Sequence, residues 1–197
     1  MVESNITSIR MENKTTNMES NQLMELGVLG ILAEESANKR AIRERLQHNF
    51  SRYWTASYGA LDPAIERLRT ANHIAMVSRM TVNGESQSTE YEITEEGRNR
   101  LQELLQEPIP DGVVPAQHPE FMLKLGFLHH LPPAEQENQL ATLVDQFKQA
   151  RNRWIDIKAT HEEAVSNPPG YRRALQELTI RLNDTYLEWL DEQRQIR

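Results

Sequence analysis

The side chains of this sequence most disposed to chemistry are cations. Between Ser36 and Met80 eight Lys and Arg residues stand against three acidic ones, Glu44, Asp62 and Glu66, a surplus of +5. The 197-residue chain as a whole carries −7, so the remainder holds −12. A basic stretch in an acidic protein still attracts phosphates, because charges are screened over roughly 8 Å at physiological salt. An ordinary solvated surface would account for the charge equally well. Other chemistries find less support. The absence of cysteine excludes thiol nucleophiles, zinc ribbons and iron–sulfur clusters. Metal ligation favours spacings such as i, i+4, which none of the six histidines shows. His129 and His130 are adjacent and, on a helix, point to different sides. Glu95-Glu96 and Glu162-Glu163 read as solvated pairs. With no phosphate-cradling glycine loop, nucleophile elbow or His/carboxylate pattern, the expectation is no enzyme, no metal and no cofactor.

The cations must be positioned by helices. Residues 22–33 (QLMELGVLGILA) are apolar on several faces and predict a buried helix. Asn38 can cap a second helix over Lys39–Phe50, in which Ile42, Leu46 and Phe50 share one side. A third pattern runs from about Tyr58 to Asn72 with Leu61, Ala64, Ile65 and Leu68 inward. Its start is ambiguous between a Ser57 cap and the Asp62-Pro63 pair. Two strand candidates, 74–82 and 87–93, flank Asn83-Gly84, the sequence a type I′ hairpin prefers because both central residues need positive φ. Thr94 then caps a fourth helix with Leu101, Leu104 and Leu105 inside. Helix, helix, helix, hairpin, helix is the layout of a winged helix-turn-helix.

The prolines between Pro108 and Pro119 mark a linker over 108–119. Beyond it come a short helix over about 120–130 and a long one from Pro133 to about Val165, with Leu140, Leu143, Phe147, Ala150, Trp154, Ile157 and His161 on one seam. After Asn167-Pro168-Pro169-Gly170, a last helix repeats the pattern with Tyr171, Leu175, Leu178, Leu182, Thr185 and Trp189. Heptad-like seams bury a narrow stripe against another helix, so the two long helices are expected to lie antiparallel and to pair two copies of the chain. Residues 1–21 have no apolar periodicity and read as a flexible tail. No apolar run approaches the roughly 20 residues of a membrane span and no signal-peptide core is present, which points to the cytoplasm. The expected fold class is therefore mostly α with a small β-hairpin wing: a tail (1–21), a winged helix-turn-helix (22–107), a linker (108–119) and a helical dimerisation domain (120–197).

Three motifs make the pattern specific. Leu61-x-Pro63-x-Ile65-x-Arg67-Leu68, preceded by Ser57-Tyr58-Gly59-Ala60, resembles the recognition-helix signature of PadR-type regulators. Tyr91-x-Ile93-Thr94-x-x-Gly97-x-x-x-Leu101 is similar to their wing and following helix. Phe121 to Leu143 looks like the start of the virulence-activator-type helical domain that some members carry. The resemblance covers everything from about Leu23 onward and implies a homodimeric, sequence-specific DNA-binding transcriptional regulator, here read as a repressor. Two departures stand out. The family usually has a DNA-facing tyrosine where this chain has Asp62, and His-Gly-Tyr where this chain has Asn38-Lys39-Arg40. Asp62 can accept a hydrogen bond from a cytosine amino group, weaken DNA binding, or simply cap the helix. A winged-helix interaction protein that has lost specific DNA binding is the alternative reading.

A recognition helix enters the major groove by its N-terminal end while the preceding helix anchors on the backbone. That assigns base reading to Ser57, Tyr58, Ala60 and Asp62, and phosphates of double-stranded DNA to Lys39, Arg40, Arg43 and Arg52. Arg79 lies on the wing, whose tip carries Glu85 and no cation. The dimer interface is assigned to Leu140, Leu143, Phe147, Trp154, Leu175, Leu182 and Trp189. Some relatives bind flat aromatic effectors, which makes a small aromatic ligand a conceivable partner. Seam packing is the stronger explanation for Trp154 and Trp189, and wedging of the recognition helix for Trp54.

Overall fold

The computed structural model describes residues 21–50, 58–80, 87–109, 115–164 and 170–195. The N-terminal tail, the Asn83-Gly84 turn, the heart of the proline-rich linker and the Asn167–Pro169 break lie outside them. The chain forms two compact units. One holds residues up to Glu107 together with Met122–His130, and the other holds Pro108–Phe121 and Leu131 onward.

The first unit is built around helix α1, residues 21–34. Its apolar residues are spread round the helix, and Leu23, Met24, Leu26, Val28, Leu29, Ile31 and Leu32 are all buried, as a helix without a polar face requires. Helix α2 (Lys39–Phe50) buries Ile42, Leu46 and Phe50 as their spacing predicts. Asn38 caps it, its Oδ1 accepting from the Ala41 amide at 2.9 Å.

A 3₁₀ turn, Tyr58–Ala60, leads into helix α3 (Leu61–Thr70), which buries Leu61, Ala64, Ile65 and Leu68. Ala60 occupies the N-cap position with no side-chain cap. Asp62 therefore lies inside the first turn and is not the cap. The helix also stops two residues short of the expected Asn72. The Asn72 amide bonds to Arg69 O and the His73 amide to Leu68 O, while Asn72 adopts φ 59°. This is the two-bond closure of a Schellman motif with asparagine in the left-handed position.

Strands β1 (Ile74–Met80) and β2 (Gln87–Ile93) pair antiparallel, Ile74 opposite Ile93 and Met80 opposite Gln87. Ala37, just before α2, exchanges both backbone hydrogen bonds with Tyr91, a third rung that no side-chain pattern announces. Thr94 caps helix α4 (Glu95–Gln106), its Oγ1 accepting from Gly97 N at 3.0 Å and donating to Asn72 O at 2.7 Å. A Cβ on Gly97 would lie 2.0 Å from the His73 carbonyl oxygen, so this position excludes every larger residue by contact.

The domain boundary differs from the sequence reading. Helix α5 (Pro119–Phe127) and the 3₁₀ turn Leu128–His130 were expected to open the C-terminal domain, yet Met122–His130 clusters with the winged helix. Two contacts explain it. Buried Lys124 donates from Nζ to Leu104 O at 2.7 Å and Glu107 O at 2.5 Å, satisfying carbonyls that the end of α4 leaves orphaned. The Phe127 ring fills the space at Gly30, where a Cβ would come within 2.4 Å of it, and the Phe50 ring does the same at Gly126. The two rings meet at a centroid distance of 5.2 Å.

The histidine pair also departs from the expected geometry. The α-helix has ended at Phe127, and in the following 3₁₀ turn the rings of His129 and His130 lie 4.0 Å apart. Burial, with the neighbouring charges of His129 and Arg98, lowers His130 to about 4, so its imidazole is neutral at pH 7.

In the second unit, helix α6 (Pro133–Ala164) and helix α7 (Gly170–Gln195) form the expected antiparallel hairpin. Ion pairs run along it: Glu137 with Arg194 at 2.6 Å, Arg151 with Asp184, and Lys158 with Glu177 at 3.2 Å. Phe147 stacks on Tyr186 at 4.9 Å and meets Phe121 edge-on. Leu140, Leu143 and Phe147 are buried in the single chain, so they are core residues and not the dimer contacts the sequence reading made them. Helix α7 packs inward with a face other than its apolar seam. Its buried positions are Gln176, Asn183 and Leu190, seven residues apart, while the seam of Tyr171, Leu175, Leu178, Leu182 and Trp189 is exposed. Among the described residues no helix is long and apolar enough to cross a membrane.

Candidate nucleic-acid interface

Lys39 and Arg40 at the start of α2, and Ala60 and Asp62 at the start of α3, are among the residues assigned to DNA. Capping by Asn38 starts α2 at Lys39, and the 3₁₀ turn delivers the chain to Leu61, which places Lys39 beside Asp62. The Lys39 ammonium lies 2.9 Å from Asp62 Oδ1, the side chains 41% and 64% exposed. The hydrogen bond to Asp62 holds the lysine above its usual value. Lys39 and Asp62, read separately as a phosphate contact and a base reader, are thus partners within the chain. The charge an aspartate would present to DNA is offset by the cation beside it.

Among the described residues, Arg40, Arg43, Arg45, Arg67 and Arg69 are also engaged. Arg40 pairs with Glu44 one turn along α2 at 2.7 Å, and that bond raises its pKa further. Arg45 pairs with Glu35 and Arg69 with Glu66 at 2.9 Å. Arg67 donates to the Asn21 side chain at 3.0 Å. Arg43 is exposed on α2 and has an interaction of its own. The pairs on this surface are solvent-exposed, and such pairs contribute only about 0–1 kcal/mol. Removing a carboxylate from such a pair therefore costs the fold little. Ala60 is half-buried just before α3. Tyr58 belongs to the 3₁₀ turn and Arg79 to β1, opposite Ser88; their side chains, and the whole of Arg52, Trp54 and Ser57, lie outside the described residues. Of the assigned residues, the structure brings Lys39 and Asp62 into contact and places Arg40 and Arg43 along the same helix as Lys39.

Residues 28–103 match the model of the transcriptional regulator PadR-like family, and residues 119–196 match the virulence activator alpha C-terminal model. The chain carries a PadR-like transcriptional-regulator domain followed by a virulence-activator-type C-terminal domain. Its winged-helix half is the part of the chain that the transcriptional-regulator model matches. No curated protein sequence matches the chain. Solved structures similar to this PadR-like chain include Bacillus subtilis PadR in complex with operator DNA (19% identical, covering 88% of this chain and 97% of that one, TM-score 0.40). The Vibrio cholerae virulence activator AphA is 22% identical, covering 86% and 94%, with a TM-score of 0.38.

What the sequence reading missed on this PadR-like surface is the pairing itself. Counting eight cations against three acids treats them as free, but Glu35, outside the counted segment, and Asn21 are close in space and occupy two of them. The i, i+4 spacing of Arg40 and Glu44 was a legible signal; the contact of Lys39 with Asp62 needed the fold.

Proposed function

We propose that the protein acts in the cytoplasm as a homodimer that represses transcription by occupying operator DNA. Each copy lays α3 in the major groove and anchors α2 on the backbone, and α7 pairs with a second chain. One observation carries the dimer. Tyr171, Leu175, Leu178, Leu182 and Trp189 are 90, 63, 51, 51 and 41% exposed, and their successive steps of four, three, four and seven residues set them on a single stripe. A continuous apolar stripe on a helix of 26 residues is what one chain of a two-chain helical interface presents before its partner arrives. Ile155 and Ile157 of α6 are exposed as well. Of the seven residues first assigned to the interface, Leu175, Leu182 and Trp189 keep that role, Trp154 is half-buried on α6, and Leu178 and Tyr171 join the stripe.

The test is selection from random duplex DNA by the full-length protein and by the Leu178→Glu/Leu182→Glu variant. The wild type should enrich an inverted repeat, whose half-sites mirror the two-fold symmetry of a helix-turn-helix dimer. The variant should sediment as a folded monomer and bind the repeat at least tenfold more weakly. A wild type that enriches no sequence even at low salt would favour the protein-interaction reading. A monomer that binds a single half-site with full affinity would overturn the role given to α7.

A further inference from the structure

From the geometry we infer a binding site for a borderline divalent transition-metal ion, of the Zn²⁺ class, formed by Glu34, His129 and His130. Glu34 ends α1, and the histidines come from the 3₁₀ turn after α5, so residues about a hundred positions apart in sequence converge. One ligand atom from each lies within 4.8 Å of the other two. Tetrahedral zinc, with bonds of about 2.0 Å, holds its ligand atoms about 3.3 Å apart, so side-chain rotation must close up to about 1.5 Å.

Three features favour a ligand there over a chance cluster. His129 bonds through Nδ1 to the Gly126 carbonyl at 3.1 Å. That is the usual outer bond of a metal-binding histidine, fixing the ring and leaving Nε2 for the ion. His130 keeps Nε2 buried with no hydrogen-bond partner, which is costly unless something occupies it. Glu34 also lines an open cleft of about 180 Å³, shared with Glu35, Ser36, Glu92 and Arg98, so its carboxylate is reachable by a hydrated ion. Two imidazoles and one carboxylate suit Zn²⁺, Co²⁺ or Ni²⁺ and leave a coordination position for water. Mg²⁺ and Ca²⁺ demand oxygen donors. The Arg98 charge stands close enough to oppose the cation.

An ion there would tie the Leu128–His130 turn to the end of α1, four residues before the cap of α2. Occupancy would thereby steady the helix-turn-helix from behind.

The experiment uses the full-length protein stripped with a chelator and titrated with Zn²⁺ against a chromophoric competitor, with Co²⁺ absorption as a second readout. We expect one ion per chain, tetrahedral or five-coordinate Co²⁺ bands, and a rise in the melting temperature that the chelator reverses. His129→Ala and Glu34→Gln change exposed side chains, so they should leave the circular dichroism unchanged and weaken binding by at least about tenfold. Arg98→Gln should tighten it, and His48→Ala, on α2, should match the wild type. Equal Zn²⁺ affinity in the wild type and His129→Ala would overturn the site, as would a loss in His48→Ala as large as that in His129→Ala.

Discussion

Helices α1 and α7 contain similar apolar residues and use them in opposite ways. In α1 the leucines and isoleucines surround the helix, and the chain buries nearly all of them. In α7 they form one stripe and the chain leaves that stripe in water, packing Gln176, Asn183 and Leu190 inward instead. Asn183 is the sharpest case. Its Nδ2 donates back to Thr179 O at 2.8 Å, while its buried Oδ1 has no partner among the described residues. The difference teaches that apolar width fixes whether a helix must be buried by its own chain. A narrow seam says only that the helix has a partner. Which partner depends on what else competes for the inner face, and in α7 the ion pairs of Glu177, Asp184 and Arg194 hold the polar side against α6.

The largest effect that would break this contrast belongs to the α1 side. Phe127→Ala removes a buried ring that meets Gly30 and Phe50, and should lower unfolding free energy by about 3–5 kcal/mol in urea titration. Trp189→Ala should cost the isolated chain far less and instead raise the dimer dissociation constant by ten- to a hundredfold in sedimentation equilibrium. Comparable losses of chain stability from the two variants would erase the distinction between core and seam.

Next in size is Lys124→Met. It leaves the carbonyls of Leu104 and Glu107 without their donor and should destabilise by about 1–3 kcal/mol. The same denaturation measured on Lys148→Met, an exposed lysine of α6, should shift by under about 0.5 kcal/mol. If the two lysines behave alike, Met122–His130 is not held to the winged helix as described.

The Lys39–Asp62 contact sharpens the comparison on the functional side. Asp62→Ala frees the lysine for phosphate, so affinity for generic duplex should rise and the salt dependence steepen by about one unit. Lys39→Ala/Asp62→Ala should return the slope to that of the wild type, because no additional phosphate contact is then available. Asp62→Tyr, which restores the residue usual in the family, should also change the preferred sequence. An unchanged salt slope in Asp62→Ala would show that Lys39 never reaches a phosphate.

The smallest effect concerns Asn72. At φ 59° Asn72→Gly relieves strain and should stabilise by a few tenths of a kcal/mol to about 1, whereas Asn72→Val should destabilise by more. Thermal melts of both resolve the sign.

Much of this was legible in the residues themselves. Local physics placed α2, α3 and α4 because their caps and apolar spacing are short-range: Asn38 caps through a residue three positions away, Thr94 likewise, and Ile42, Leu46 and Phe50 share a face whatever lies opposite. The strand pair followed from alternation, and the antiparallel hairpin from two seams and a short break. Tertiary structure decided what depends on contacts between distant positions. No spacing rule links Lys124 to the carbonyls of α4, Phe127 to Gly30, or Lys39 to Asp62. The boundary at Met122 was set by the first two of these contacts, and the state of the interface cations by contacts such as the third. The 3₁₀ turn that brings His129 and His130 toward Glu34 likewise formed only where α5 met α1. A seven-residue repeat in α7 showed that a stripe exists; the side of the hairpin it takes follows from the polar residues that the fold, and not the repeat, turned inward.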